Sequence, residues 1–373
     1  MSAVQTSDAT DEPQSSRGWR PRLPRSTNEG FGRYSAVLAV LVVMFVFLSL
    51  TQDRFLTEQN MKNLMSGVSV ISICALGMTF VILGAGIDLS VGGILAISGI
   101  FLAKMLALGL PGPVSVVLTV LFGLAVGGLL NGVLIGKAGL SFFVVTLGVS
   151  TGLTGLVNIW SNNKTTYITS SFVNGIGFSE FLGIPVPIWI MIGCFLLFLL
   201  VQKRTYFGRD IYAIGGNVEA ARLSGIRVAG TTAAVYAISG ACAGLAGVIQ
   251  TGRLGAASPL VGTDTALAAI AAVLLGGTTF AGGVGGVAGT AVGVLFIGVL
   301  QNGLGIAGVS GYWQQVITGV ILVSAVGMDR LRQSGGIGRR LRGSANTGAD
   351  PLTTETLTDD IPSAQGASTE QTA

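Results

Sequence analysis

The sequence predicts an all-α, polytopic integral membrane bundle of about ten transmembrane helices, with both termini in the cytoplasm. Three observations predict it. Only 10% of the 373 residues are charged, where a water-soluble domain carries about a quarter. Mean hydropathy is +0.72. The charges crowd into residues 1–34, 202–232 and 329–373, and the tracts between are nearly uncharged. A large soluble protein with buried helices would need polar helix faces, which such tracts do not supply.

Residues 1–34 are polar and contain five arginines. No short apolar core with a small-residue cleavage site precedes the first apolar tract, so a disordered cytoplasmic tail is expected rather than a cleaved signal peptide. A helix needs about 20 apolar residues to cross the hydrocarbon core. Residues 35–328 form the transmembrane domain, with ten apolar tracts near 34–51, 63–86, 91–110, 114–135, 142–160, 187–201, 233–250, 265–281, 287–306 and 312–328. Residues 329–373 form a second cytoplasmic tail, Ser/Thr/Ala-rich and acidic from 343 onward, expected to be largely disordered.

Charge sets the direction. With the first tail in the cytoplasm, 16 Lys and Arg residues fall on cytoplasmic segments and four fall outside: Arg54, Lys62, Lys164 and Arg253. Lys104 lies within the third tract and can snorkel. This is the positive-inside pattern, and one span more or fewer before residue 202 would invert it for the cluster at 202–232. The same flanking arginines account for the pI near 9.1 without any nucleic acid partner.

Several chemistries are excluded. The chain has no histidine, which removes Ser-His and Cys-His nucleophiles and imidazole metal sites. Cys74, Cys194 and Cys242 stand singly in apolar tracts and indicate neither a disulfide framework nor a metal. The segment GVLIGKAG (132–139) has the wrong glycine spacing for a phosphate loop, ends in Ala138 and joins two spans. Gly86-Ile87-Asp88 lacks the Gly-x-Gly-Asp order of intramembrane aspartyl proteases. The chain is therefore expected to be neither an enzyme nor a holder of any cofactor.

The spans are rich in small residues. Gly-x-x-x-Gly spacing occurs at Gly123/Gly127, Gly128/Gly132 and Gly240/Gly244, which lets helices approach closely in lipid. Intramembrane charge is nearly confined to Asp88. Coupled carriers usually need carboxylates or half-helix ion sites there, so a neutral solute and an external energy source are expected. Asp88 itself, in ILGAGIDLSVGGIL, reads as a helix junction rather than an ion site, at the cytoplasmic end of the second span or at a break in re-entrant backbone: Asp88 and Ser90 can cap a helix starting near Val91, and Gly86, Gly92 and Gly93 permit a tight reversal.

In the loop 202–232, NVEAARLSG reads as a short helix. Asn217 suits its N-cap, Glu219 its first turn and Gly225 the position past its end. Only Leu223 and Ile226 nearby are strongly apolar, too few for a face lying on the bilayer. An exposed, capped helix on the longest cytoplasmic loop suits docking of a soluble partner.

GIDLSVGGILAISG, FGRDIYAIGGNVEAARLSGIRV, the glycine-rich run from Leu267 to Leu304 and SGYWQQVITG together resemble the ribose-type (monosaccharide) ABC transporter permease family. The resemblance covers about residues 36 to 333. It implies the membrane subunit of a bacterial binding-protein-dependent sugar importer in the cytoplasmic (inner) membrane. The implied partners are cytoplasmic ABC ATPase subunits, which bind the ATP, an extracytoplasmic sugar-binding protein and a second permease copy or paralogue, surrounded by membrane lipid. It also implies an ATPase-coupling contact at Arg209, Gly215, Gly216, Asn217, Glu219, Ala220, Arg222, Leu223, Ser224 and Gly225. One departure stands out: where the family commonly shows Glu-Leu-Asp, this chain has Ala266-Leu267-Ala268, which puts ribose itself in doubt. Other sugars, polyols, autoinducer-2, nucleosides and amino acids stay open as solutes.

At an offset of 171, Leu83-Gly84-Ala85 matches Leu254-Gly255-Ala256 and Asn131-Gly132 matches Asn302-Gly303. Such an offset fits an inverted repeat, whose interface would carry the path. A path lined by Asn131, Phe142, Phe143, Gln301, Asn302, Trp313 and Gln314 would offer amides to hydroxyls and aromatic faces to a ring. The competing expectation pairs the amides between helices and leaves the aromatics as interface anchors.

Overall fold

A computed structural model describes residues 28–327, with side chains from residue 34. Residues 1–27 and 328–373, with the disorder and the cytoplasmic placement expected of them, lie outside the described residues, whereas residues 28–34, expected to belong to the disordered first tail, are helical and begin the first span. The described chain is a helical bundle. In order it contains α1 (Asn28–Thr51), α2 (Glu58–Leu83), α3 (Val91–Ala107) and α4 (Gly112–Ala125). A π-helical turn (Val126–Gly132) joins α4 to α5 (Val133–Gly136) in one rod. Then follow α6 (Phe142–Ser161), α7 (Ser171–Phe178), α8 (Val186–Arg204), α9 (Tyr206–Gly216), α10 (Val218–Leu223), α11 (Val228–Leu254), α12 (Thr265–Leu275) and α13 (Val287–Ile306). A last helix, α14, occupies residues 311–327. We call the end that carries α9 and α10 the lower end. Two antiparallel two-residue pairs, β1 (Thr166–Tyr167) with β4 (Ala256–Ala257) and β2 (Glu180–Phe181) with β3 (Ile184–Pro185), trim the upper end.

Among the described residues, seven helices are long and apolar enough to cross a membrane: α1, α2, the α4–α5 rod, α6, α8, α11 and α13. Each of the ten apolar tracts contains one helix, but three are shorter. At 1.5 Å per residue α12 is only about 16 Å long, half of a ~30 Å hydrocarbon core. The eighth tract, expected to run to 281, stops being helical at Leu275. Beyond it Gly277, Gly282, Gly283 and Gly285 all have positive φ, a backbone that a helix cannot contain.

Helices α2, α3, α11 and α12 form the buried centre. Helices α1, α6 and α8 turn apolar side chains such as Val43, Val144, Ile159 and Leu196 outward, the lipid-facing pattern of a membrane bundle. The small-residue motifs meet one another. A Cβ on Gly123 would lie 2.5 Å from the Gly240 carbonyl, and one on Gly127 would lie 2.9 Å from the Gly240 Cα. Backbone thus touches backbone where α4 crosses α11, the contact that Gly-x-x-x-Gly permits. Helix ends also recur at the sequence offset, since α2 ends at Leu83 and α11 at Leu254.

Two helices begin inside the bundle. Residues 84–90 follow α2 and residues 255–264 follow α11, and the first turn of α3 meets the second of these irregular segments: a Cβ on Gly92 would sit 2.2 Å from the Gly262 carbonyl oxygen. Gly93 abuts Leu153 and the Ser150 carbonyl, midway along α6. The N-termini of α3 and α12 therefore converge deep within the protein.

Candidate functional site

The break between α2 and α3 holds the one charged side chain that is fully buried among the described residues, Asp88. A carboxylate there must be met by donors. The Ser90 N–H donates to Asp88 Oδ1 at 3.0 Å and the Ser90 hydroxyl to the same oxygen at 2.5 Å. Ser239 of α11 donates to Oδ2 at 2.8 Å. Asn131, on the π-helical turn, donates through Nδ2 to Ser90 Oγ at 2.7 Å and lies 3.4 Å from Asp88 Oδ1. Tyr236 donates its hydroxyl to the Ile87 carbonyl at 3.2 Å. Asn131 Oδ1 has no hydrogen-bond partner among the described residues.

The junction residues Gly86, Asp88, Ser90, Gly92 and Gly93 thus gather at one break, and α3 does start at Val91. The capping expectation needs correction: the Ser90 side chain makes no cap bond to α3. Its hydroxyl donates to Asp88, and its oxygen accepts from the Asn131 amide instead of from a backbone N–H of α3. Asp88 is level with Ser239, near the middle of α11, so the break lies inside the bundle.

Below the break lies the loop. Thr205 caps α9 by accepting from the Gly208 N–H at 3.1 Å. The Tyr212 hydroxyl donates to the Gly285 carbonyl at 2.6 Å. Burial raises the Tyr212 phenol above its ordinary value, so it stays a neutral donor at physiological pH. Gln202 bonds the Val287 N–H at 3.0 Å and the Tyr212 hydroxyl. Arg209 lies exposed over the Tyr206 ring at 4.2 Å. Gly215 packs on the Leu83 carbonyl, which also accepts from Gly283 N–H at 2.9 Å. Loop, α2 end and the 276–286 segment are therefore fastened at one point.

At the tip, Asn217 caps α10 by accepting from the Ala220 N–H at 3.0 Å. Glu219 pairs with Arg222 at 3.2 Å, Ser224 donates to the Ala220 carbonyl at 2.8 Å, and Gly225 has φ +82°. Gly216, Asn217, Glu219, Ala220, Arg222, Leu223, Ser224 and Gly225 are exposed, Leu223 at 88%. Only Ala221 anchors the helix inward. A cavity of about 260 Å³ opens between this tip and the break, lined by Val218, Arg222, Gly84, Gly86, Phe142 and Tyr236.

The expected path residues do not surround one cavity. Asn131 belongs to the Asp88 network. Asn302 of α13 exchanges two bonds with Asn60 of α2, at 2.9 and 3.1 Å. Gln314 donates to the Val309 carbonyl at 3.1 Å, and Gln301 is half-buried. Phe142 lines the lower cavity, whereas Phe143 and Trp313 are 53% and 63% exposed. The amides pair between helices because an unpaired amide in an apolar interior is costly. Sequence reasoning missed Tyr236 and Ser239. Their spacing of three on one face of an apolar helix was the available signal.

A family profile described as "Branched-chain amino acid transport system / permease component" matches residues 60–326. The chain belongs to this permease family. The permease is 39% identical over 300 residues to the ribose import permease protein of Escherichia coli strain K12, covering 79% of this chain and 93% of that one. It is 40% identical over 301 residues to the D-allose transport system permease protein of the same strain, covering 80% and 92%. The xylose transport system permease protein of that strain is 33% identical over 355 residues, covering 79% and 90%. No solved structure matches the chain. The permease is thus a multi-pass membrane transport component and not an enzyme.

Proposed function

We propose that the permease is the membrane subunit of a bacterial ABC importer for a monosaccharide, acting in the cytoplasmic membrane by alternating access. The α9–α10 unit carries this reading. It offers an exposed, capped helix at one end while Gly215 touches the end of α2, so a push on the tip reaches the break directly. Partner ATPase subunits dock there and bind the ATP, and an extracytoplasmic binding protein delivers the solute to the upper end. The relatives' names support a sugar.

The ten crossings and cytoplasmic termini belong to this proposal and rest on the 16-to-4 charge bias. So does the inverted repeat, which the matching ends of α2 and α11 and the meeting of α3 with α12 support. A second copy or paralogue completes the assembly, across a face that lipid does not occupy.

Glu219→Pro tests the docking role. Proline at the second residue of α10 replaces the Glu219–Arg222 pair and reshapes the capped turn. Uptake of labelled ribose, allose or xylose by cells carrying the full importer is expected to fall to background. The amount of membrane-inserted permease, read by immunoblot, stays at the wild-type level. Wild-type uptake by this variant would refute docking through α10.

A further inference from the structure

The α2–α3 break separates two cavities, one of which opens beneath it toward α10. The other, of about 170 Å³, lies where α3 and α12 begin. We infer that this upper cavity is the subsite that holds the solute during transport, an inference that rests on the import reading above. Its walls are of two kinds. Leu89, Val157 and Val261 are apolar, and Ser150 and Thr154 present hydroxyls one turn apart on α6. No charged side chain lines it. That lining suits a small neutral polyhydroxy compound, whose C–H face packs on the apolar wall while its hydroxyls meet Ser150 and Thr154. A zwitterionic amino acid would find no charged side chain for its ammonium.

The cavity is closed on one side by backbone. Gly92 and Gly262 touch so closely that a Cβ on either would lie 2.2 or 2.4 Å from the other's carbonyl oxygen. Ala266, in the first turn of α12, forms part of the wall and is 7% exposed. Thr154 is exposed on α6, so the cavity opens past that helix. The Thr154 hydroxyl already donates to the Ser150 carbonyl at 2.9 Å, and its lone pairs stay available as acceptors. Gly84 and Gly86, before Asp88, line the lower cavity and Leu89, Gly92 and Gly93, after it, line the upper one, so solute leaving downward must wait for the break to move.

The test uses the permease purified with its ATPase and binding protein and reconstituted in liposomes, with radiolabelled D-ribose, D-allose and D-xylose as probes. Ala266→Leu is expected to lower uptake at least tenfold while ATPase activity and complex size stay at wild-type values. If the wild-type complex takes up none of the three sugars, the import reading fails and this inference with it. If wild-type uptake is robust and Ala266→Leu matches it, the subsite is refuted and import stands. Should Ala266→Leu not assemble, Thr154→Cys in a Cys194→Ala background decides. The transported sugar is expected to slow its modification by a hydrophilic thiol reagent several-fold, and an unchanged rate would overturn the assignment.

Discussion

Asp88→Ala is expected to lower the yield of monodisperse permease by about tenfold or more. The substitution leaves Ser239, Ser90 and Asn131 without their shared acceptor in a dry interior. Each unsatisfied buried polar group costs about 1–3 kcal/mol, against a total stability of about 5–15 kcal/mol. Asp88→Asn keeps one oxygen for the Ser90 N–H and hydroxyl, and the Ser239 hydroxyl can rotate to accept from the new amide. That variant is expected to recover most of the yield. Fluorescence-detected size-exclusion chromatography of the two variants measures the difference. A well-folded Asp88→Ala protein that no longer transports would instead place Asp88 in the transport step itself.

The second large effect separates two adjacent glycines. A Cβ on Gly215 would lie 1.8 Å from the Leu83 carbonyl oxygen and 2.4 Å from the Gly283 nitrogen, whereas a Cβ on Gly216 meets nothing within 4 Å. Gly215→Ala must therefore part the loop from the α2 end, because both neighbours are backbone and cannot rotate aside. It is expected to abolish sugar uptake and to shorten the protein's half-life on heating in detergent. Gly216→Ala is expected to behave as wild type in both measurements. Equal behaviour of the two variants would mean that the loop is not fastened at Gly215.

Local signals made much of this legible. The apolar tracts located the membrane helices, since length and hydropathy alone define such a segment. Asn217, Glu219 and Gly225 marked α10 because caps depend on residues a few positions apart. The break after Leu83 was visible in its glycines and its lone carboxylate. The depth of that break was not, because it depends on Ser239, 151 positions away, and Ser239 is unremarkable in its own tract. The Asn60–Asn302 pair, 242 positions apart, was hidden for the same reason. The early end of α12 was written in GGTTFAGGVGG (276–286), but the tract's hydropathy outweighed its glycines. The short helix α7 and the two β-pairs carry no periodicity that distinguishes them from loop.

The distance along the chain from Asp88 to its partners also constrains how the protein is made. Asn131 is synthesised 43 residues after Asp88, and Ser239 only 151 residues after it. At about 5–20 residues per second, the carboxylate stays incompletely satisfied for roughly 8 to 30 s while α3, the α4–α5 rod, α6 and α8 are made. During that interval it needs water or the insertion machinery as a stand-in, so the first spans cannot settle in lipid before α11 arrives. Ribosome-bound chains halted ahead of α11 should remain extractable from the bilayer, and those halted beyond it should not.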